Sequence, residues 1–222
     1  MKGATVTEAD VRGPSRTEGG ALLAVLAVVL VWSGIGATST STWLMEIVWI
    51  LAGVPLVLFN RRRFPLSRLV CWLLVFHAIV LCYGGHYTYA ETPLGEWVQG
   101  ALGTARNNYD RFAHFVQGFV PAILVRELLL RLSPLRRGGW TFVLTTAVCL
   151  SIAACFEFVE WAAAMALGSG ADDFLGTQGD VWDTQWDMFL CLCGAILAQL
   201  ALRRMHDAQL AGAGEPGVAR RG

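Results

Sequence analysis

Charge is scarce in this chain. Only 15% of its 222 residues are Asp, Glu, Lys or Arg, where a soluble domain carries about 25%. Neither sign prevails, since 17 bases balance 17 acids, and nucleic-acid binding driven by overall basicity is excluded. The six cysteines form no C-x-x-C pair; a disulfide scaffold is excluded, and they read as small buried hydrophobes. No internal repeat is evident, which argues against an inverted-repeat transporter. What the chain has instead is apolar mass: 55% hydrophobic residues, 9 Trp, 11 Phe and a mean hydropathy of +0.51. That composition indicates a polytopic membrane protein.

A bilayer core of roughly 30 Å takes about 20 apolar residues per helical crossing. Six stretches meet or approach that length: Gly20–Gly36, Trp43–Phe59, Ser67–Tyr83, Tyr109–Leu130, Trp140–Leu167 and Thr184–Leu202. The fourth and fifth are mixed, carrying Asp110, His114, Glu157 and Glu160 among apolar neighbours. Beside lipid-soluble partners they read as membrane helices with a polar face turned inward. Pro55 and Pro121 fall inside crossings two and four. Trp43, Tyr83, Trp140, Trp182 and Trp186 fall at helix ends, where interfacial aromatics belong.

Arginines then set an orientation. They crowd the segments after crossings two and four (Arg61, Arg62, Arg63 and Arg68; Arg131, Arg136 and Arg137) and both tails. The outer-side segments hold only Arg106 and Arg111. This alternation predicts an all-α bundle of six transmembrane helices with both termini cytoplasmic. Residues 1–19 and 204–222 are expected to be disordered cytoplasmic tails flanking a membrane domain over 20–203. The head carries Glu8, Asp10 and Glu18, and no small-x-small site follows Gly36. The first run is therefore read as a retained signal anchor.

An ionisable side chain near mid-bilayer is costly, so each one is a functional candidate. At about 1.5 Å per residue, Glu46, His77, His114, Glu157, Glu160 and Asp187 all fall in the outer half, with Asp183 and Asp180 at its lip. Asp110 and His114 are i,i+4, with Gln117 three further on; Glu157 and Glu160 are i,i+3; Asp183 and Asp187 are i,i+4. Residues so spaced share a helix face, so three helices each present a stacked pair. His86 follows two glycines that let the chain turn back toward the same cavity. His77, alone in an apolar stretch, reads as a packing residue. Arg126 and Glu127 read as snorkelling side chains, and His206 as solvated.

Three chemistries fit. His with several carboxylates on facing helices is how a bundle holds a divalent metal. The same groups suit general acid–base catalysis. Arg106 and Arg111 suit an anion clamp. The bland alternative is a hydrogen-bonded network that fixes helix packing, and the excess of acid over base counts against it.

At these residues the sequence resembles the YjdF-like family of bacterial inner-membrane proteins. The resemblance runs from about Ser67 to Leu202. It rests on Gly84-Gly-His-Tyr-Thr-Tyr89, Asn108-Tyr-Asp-Arg-Phe-Ala-His114, Phe156-Glu-Phe-Val-Glu-Trp161 and Gly179-Asp-Val-Trp-Asp-Thr-Gln-Trp-Asp-Met188. A more distant similarity is to VanZ-like membrane proteins, whose Asp-x-x-x-His helix start and later acidic helices match Asp110, His114, Glu157 and Asp187 with Gly194. Glu160 and the His86 loop depart from that pattern. The resemblances imply an inner-membrane bundle and no particular reaction.

The residues together lead to an outward-facing pocket acting on a lipid or cell-envelope substrate, with a divalent metal as cofactor. Asp110, His114, Glu157 and Glu160 are the candidate catalytic groups. His86, His114, Glu157, Glu160, Asp183 and Asp187 are the candidate metal ligands, and Arg111 and His86 the candidate substrate contacts. Membrane lipids are the expected partners. The competing readings are a small proton-coupled transporter and a non-catalytic scaffold of an envelope-stress system.

Overall fold

The computed structural model describes residues 11–167 and 177–210. The outer parts of both expected tails and the loop acids Asp172 and Asp173 lie outside the described residues. Among the described residues seven α-helices are formed: α1 (Arg16–Gly34), α2 (Thr40–Asn60), α3 (Arg68–Tyr87), α4 (Pro93–Leu102), α5 (Tyr109–Leu132), α6 (Gly139–Leu167) and α7 (Asp183–Leu210). Side-chain oxygens of Ser15, Ser39 and Ser67 accept from backbone N–H groups in the first turns of α1, α2 and α3, satisfying donors that have no helical partner. Pro93 opens α4 and Gly103, at φ 65°, closes it, the usual asymmetry of helix ends.

Five of these helices, α1, α2, α3, α6 and α7, are long and apolar enough to cross a membrane. Val28, Phe59, Trp140, Phe158 and Met165 turn outward and stay more than 60% exposed, as side chains facing lipid do. The apolar runs therefore predict their helices well, with α3 and α7 extending several residues past the expected ends. α5 has the length, at 24 residues, but carries Asp110, Arg111, Arg126, Glu127 and Arg131. It tolerates them because it is the central helix, packed on α3, α6 and α7.

The tightest junction is α5 against α7. A Cβ on Gly118 would fall on the Cys191 carbonyl, and one on Gly194 on the Phe115 carbonyl. Only glycine allows two helix backbones to come this close. Ala122, Ile123, Cys191, Ala195 and Ala198 fill the seam on either side, all fully buried. The two helices run in the same direction, since Asp110 lies near Asp187 at one end and Glu127 pairs with His206 at the other. α6 returns antiparallel between them. Gln199 Nε2 on α7 donates to Thr146 Oγ1 at 2.9 Å and to the Phe142 carbonyl on α6.

The arginine-bearing end of the bundle corrects two sequence expectations. Glu127 and His206 are neither snorkelling nor solvated; both are wholly buried, and Arg126 nearly so. Arg126 donates to His206 Nδ1 at 2.8 Å, and His206 Nε2 lies 3.0 Å from Glu127. A guanidinium only donates, so Nδ1 is the acceptor and the Nε2–H donates to Glu127. Glu127 also accepts from the Ser67 backbone N–H and from Arg131 at 2.8 Å. One carboxylate thereby ties the start of α3 to α5 and α7. Arg126 and Arg137 converge on Asp207.

Two outcomes follow for stability. Gly118→Leu is expected to cost at least about 3 kcal/mol, because backbone rather than a flexible side chain must move. Glu127→Ala strands Arg131 and His206 and is expected to cost roughly 3–5 kcal/mol. Thermal denaturation of detergent-purified protein measures both, with the exposed Arg203→Ala as the unaffected control.

Candidate functional site

The glycine seam brings the polar starts of α5 and α7 together. Asp110, His114 and Asp187 each offer a donor atom, all within 4.8 Å of one another, and all three side chains are buried. His114 Nε2 is 3.7 Å from Asp110 Oδ1, and its Nδ1 is 4.0 Å from Glu157 Oε1 on α6. These separations are too long for hydrogen bonds. The Asp110–His114 Nε2 separation matches that of two donors around one cation, each about 2.0–2.2 Å from it, whereas Nδ1, on the other side of the ring, faces Glu157. His114 Nδ1, Glu157 Oε1 and Asp187 Oδ1 are buried without any hydrogen-bond partner. Buried polar atoms without partners are uncommon, and three of them belong to this group of residues.

A cavity of about 1650 Å³ reaches this cluster, and Asp110, His114, Gln117 and Glu160 line its polar end. Glu160 is half-buried on that wall. Two further groups, which depth rather than helical spacing puts in the outer half, join there. Glu46 on α2 is buried and accepts from the Tyr89 hydroxyl at 2.8 Å. Gly84 and Gly85 make room, since a Cβ on either would press on the Tyr89 ring or on Glu46. His77 also lines the cavity, with its Nε2 unpartnered. The one available signal was its polarity within an apolar run.

His86 is not brought to the cluster. Its Nδ1 is 2.9 Å from the Ser33 carbonyl, an acceptor only, so the Nδ1–H donates to α1. Its ring stacks on Trp32 at 4.7 Å, and its carbonyl accepts from Thr38. It closes the corner where α1, α2 and α3 meet. Trp43 Nε1 completes that corner by donating to Ser33 Oγ.

The arginines are engaged rather than open. Arg111 pairs with Asp180 and lies over the Trp186 ring, 5.3 Å from its centre; Arg106 pairs with Asp183. Asp183 is therefore held outside the Asp110–His114–Asp187 set. Gln178 and Asn107 exchange backbone–side-chain bonds of 3.0 and 2.8 Å. Four cross-links thus pin the segment before α7 over the start of α5, with the polar cluster beneath.

With this geometry in place, comparison with known proteins is informative. Residues 20–208 match the family described as Predicted membrane protein (DUF2238). The chain belongs to this family. The Inner membrane protein YjdF of Escherichia coli (strain K12) is 48% identical over 185 residues, 83% of this chain and 88% of that protein. No solved structure matches. Like that relative, this DUF2238 member is an integral inner-membrane protein, and its buried Asp110, His114 and Asp187 fall within the matched span.

The Trp182 backbone N–H, helped by the Arg111 guanidinium, holds the Asp180 carboxyl below its ordinary value of 3.8. A depressed carboxyl stabilises the fold above its ordinary range and loses that contribution as pH falls through the lowered value. The link to Arg111 is thus intact at neutral pH and released only in strong acid. Asp180→Asn is expected to flatten the acid limb of a melting-temperature-against-pH profile while leaving the limb above pH 7 unchanged in slope.

Proposed function

We propose that this protein is a six-crossing inner-membrane protein with both termini cytoplasmic, whose outward-facing pocket binds a divalent cation and acts on a lipid or cell-envelope molecule. Helix directions support the crossing number. α1, α2, α3, α5, α6 and α7 alternate end to end, and the two polar networks on α5 lie roughly 26 Å apart at 1.5 Å per residue. That separation suits a hydrocarbon core of about 30 Å. The arginine-rich end is then cytoplasmic and the Asp110 end outer.

The observation that carries the cation is the buried Asp110, His114 and Asp187 set, whose donor atoms lie within 4.8 Å of one another and in which Asp187 Oδ1 has no hydrogen-bond partner. Two carboxylates and an imidazole form a mixed oxygen–nitrogen set suited to a divalent first-row ion. Such an ion supplies Lewis acidity to a bound phosphoryl or carbonyl oxygen. Asp110, His114 and Asp187 hold it. Glu157 Oε1, beside His114 Nδ1, is placed to accept a proton, and Glu160 on the cavity wall to return one. The surplus of acid supports this reading over a purely structural network, which satisfies its own polar atoms.

Transport is disfavoured by the walls. Beyond Gln117 and His77 the cavity is lined by Val57, Leu74, Leu124, Leu128 and Val148, and a proton or ion path needs polar groups there.

Metal analysis of protein purified without chelator is expected to give roughly one equivalent per chain, as a three-donor site takes. His114→Ala and Asp187→Asn should lose it. A metal level a hundredfold above Kd should stabilise the wild type by about 2.7 kcal/mol, and neither variant. A wild type with no metal, together with variants that complement a deletion strain fully, favours the scaffold reading instead.

A further inference from the structure

The long apolar part of the cavity is unexplained by a polar reaction site. α2 packs on α1 and α3, whereas α6 packs on α5 and α7. Between α2 and α6 this leaves a groove, floored by α3 and α5 and open sideways to the membrane. From Glu46 to Leu58 it follows α2 for roughly 18 Å at 1.5 Å per residue. Gly53 on its wall faces open space, with nothing within 4 Å of where a Cβ would stand. Val57, Leu128 and Ile152 continue the lining toward the arginine end.

The rim at that end is positive and uncompensated. Arg16, Arg61 and Arg62 line it and are exposed. Arg68, Arg126, Arg131 and Arg137 on the same end are each tied to a carboxylate. No carboxylate pairs with Arg16, Arg61 or Arg62 among the described residues. A guanidinium cluster of this kind suits a phosphate, which takes bidentate bonds from the planar fork. The groove behind it suits hydrocarbon. From Leu128 to Gln117 it runs roughly 16 Å, close to the thickness of about 15 Å that half a bilayer core allows an acyl chain.

We propose that this groove is a binding site for an anionic phospholipid, its phosphate on Arg16, Arg61 and Arg62 and one acyl chain lying between α2 and α6. The chain ends just beneath Gln117 and His77, so an occupied groove closes the Asp110–His114 cluster off from the arginine side. The lipid enters sideways, without passing the outer mouth. The site needs no metal at Asp110 and His114. It rests on the proposed orientation only in assigning the lipid to the cytoplasmic leaflet.

The test is photolabelling of metal-free protein in nanodiscs, using phosphatidylglycerol with a diazirine in one acyl chain and mapping the labelled peptides. Labels are expected on the groove walls of α2 and α6. Triple Arg16→Ala, Arg61→Ala, Arg62→Ala substitution should lower them roughly tenfold or more, since each surface arginine contributes to holding an anionic lipid. Gly53→Trp, which fills the groove without touching an arginine, should lower them comparably in protein that stays monodisperse. Arg203→Ala should not. Diazirine phosphatidylcholine should label the groove weakly, and excess inorganic phosphate should not compete. Labels spread evenly over all lipid-facing helices and indifferent to these variants would overturn the proposal in favour of annular lipid. Equal labelling by phosphatidylcholine would overturn the anionic requirement, and competition by inorganic phosphate would reassign the rim to a soluble anion. Because no metal is present, each outcome is separate from the fate of the cation site.

Discussion

The contact between the α5 and α7 backbones at Gly118 and Gly194 is the constraint on which the rest depends. Neither glycine has room for a methyl group, because each faces the other helix's carbonyl. Lipid tails are as apolar as leucine, so helices in a membrane gain little from hydrophobicity and much from close packing. That contact sets the register of two helices running in the same direction. Register in turn decides which polar side chains meet at the ends: Asp110 with Asp187 at one, Glu127 with His206 at the other.

The two ends solve the burial of charge in opposite ways. The Glu127 carboxylate is fully engaged: Ser67 N–H, Arg131 and His206 are all within 3.1 Å, and Arg131 Nη2 alone is left without a partner there. A network so satisfied specifies structure. Around His114 the neighbours stand at 3.7 and 4.0 Å, and three polar atoms have no partner. The Glu127 carboxylate is thus met by protein groups on three sides, whereas His114, Glu157 and Asp187 keep polar atoms that no protein group meets. The groove joining the two ends is lined mainly by apolar side chains between the polar cluster and the arginines.

Sequence spacing went a long way toward this picture. The i,i+4 pair Asp110 and His114 does share a face, and Asp187 does meet it. Asp183, one turn earlier on the same face of α7, instead falls to Arg106. A periodicity that puts two acids on one stripe cannot say which of them a neighbouring arginine will claim. His86 shows the same limit. Its glycines permit a turn, but the ring goes to Ser33 and Trp32, because the carbonyl at the end of α1 is the nearer acceptor.

Zero net charge conceals a separation along one axis, and that separation was readable from order along the chain alone. Apolar runs determined the membrane class and the helices, since crossing a bilayer is a local property of about 20 successive residues. Alternating arginines supported an orientation for the same reason. What only the tertiary structure decided is partnership. Glu127 with His206, Glu46 with Tyr89 and Arg111 with Asp180 join residues 79, 43 and 69 positions apart. Distances of that kind depend on which helices touch and in what register. In this chain the pairing of Glu127 with His206 traces back to Gly118 and Gly194, and that of Glu46 with Tyr89 to Gly84 and Gly85, glycines whose missing side chains a hydropathy pattern does not register.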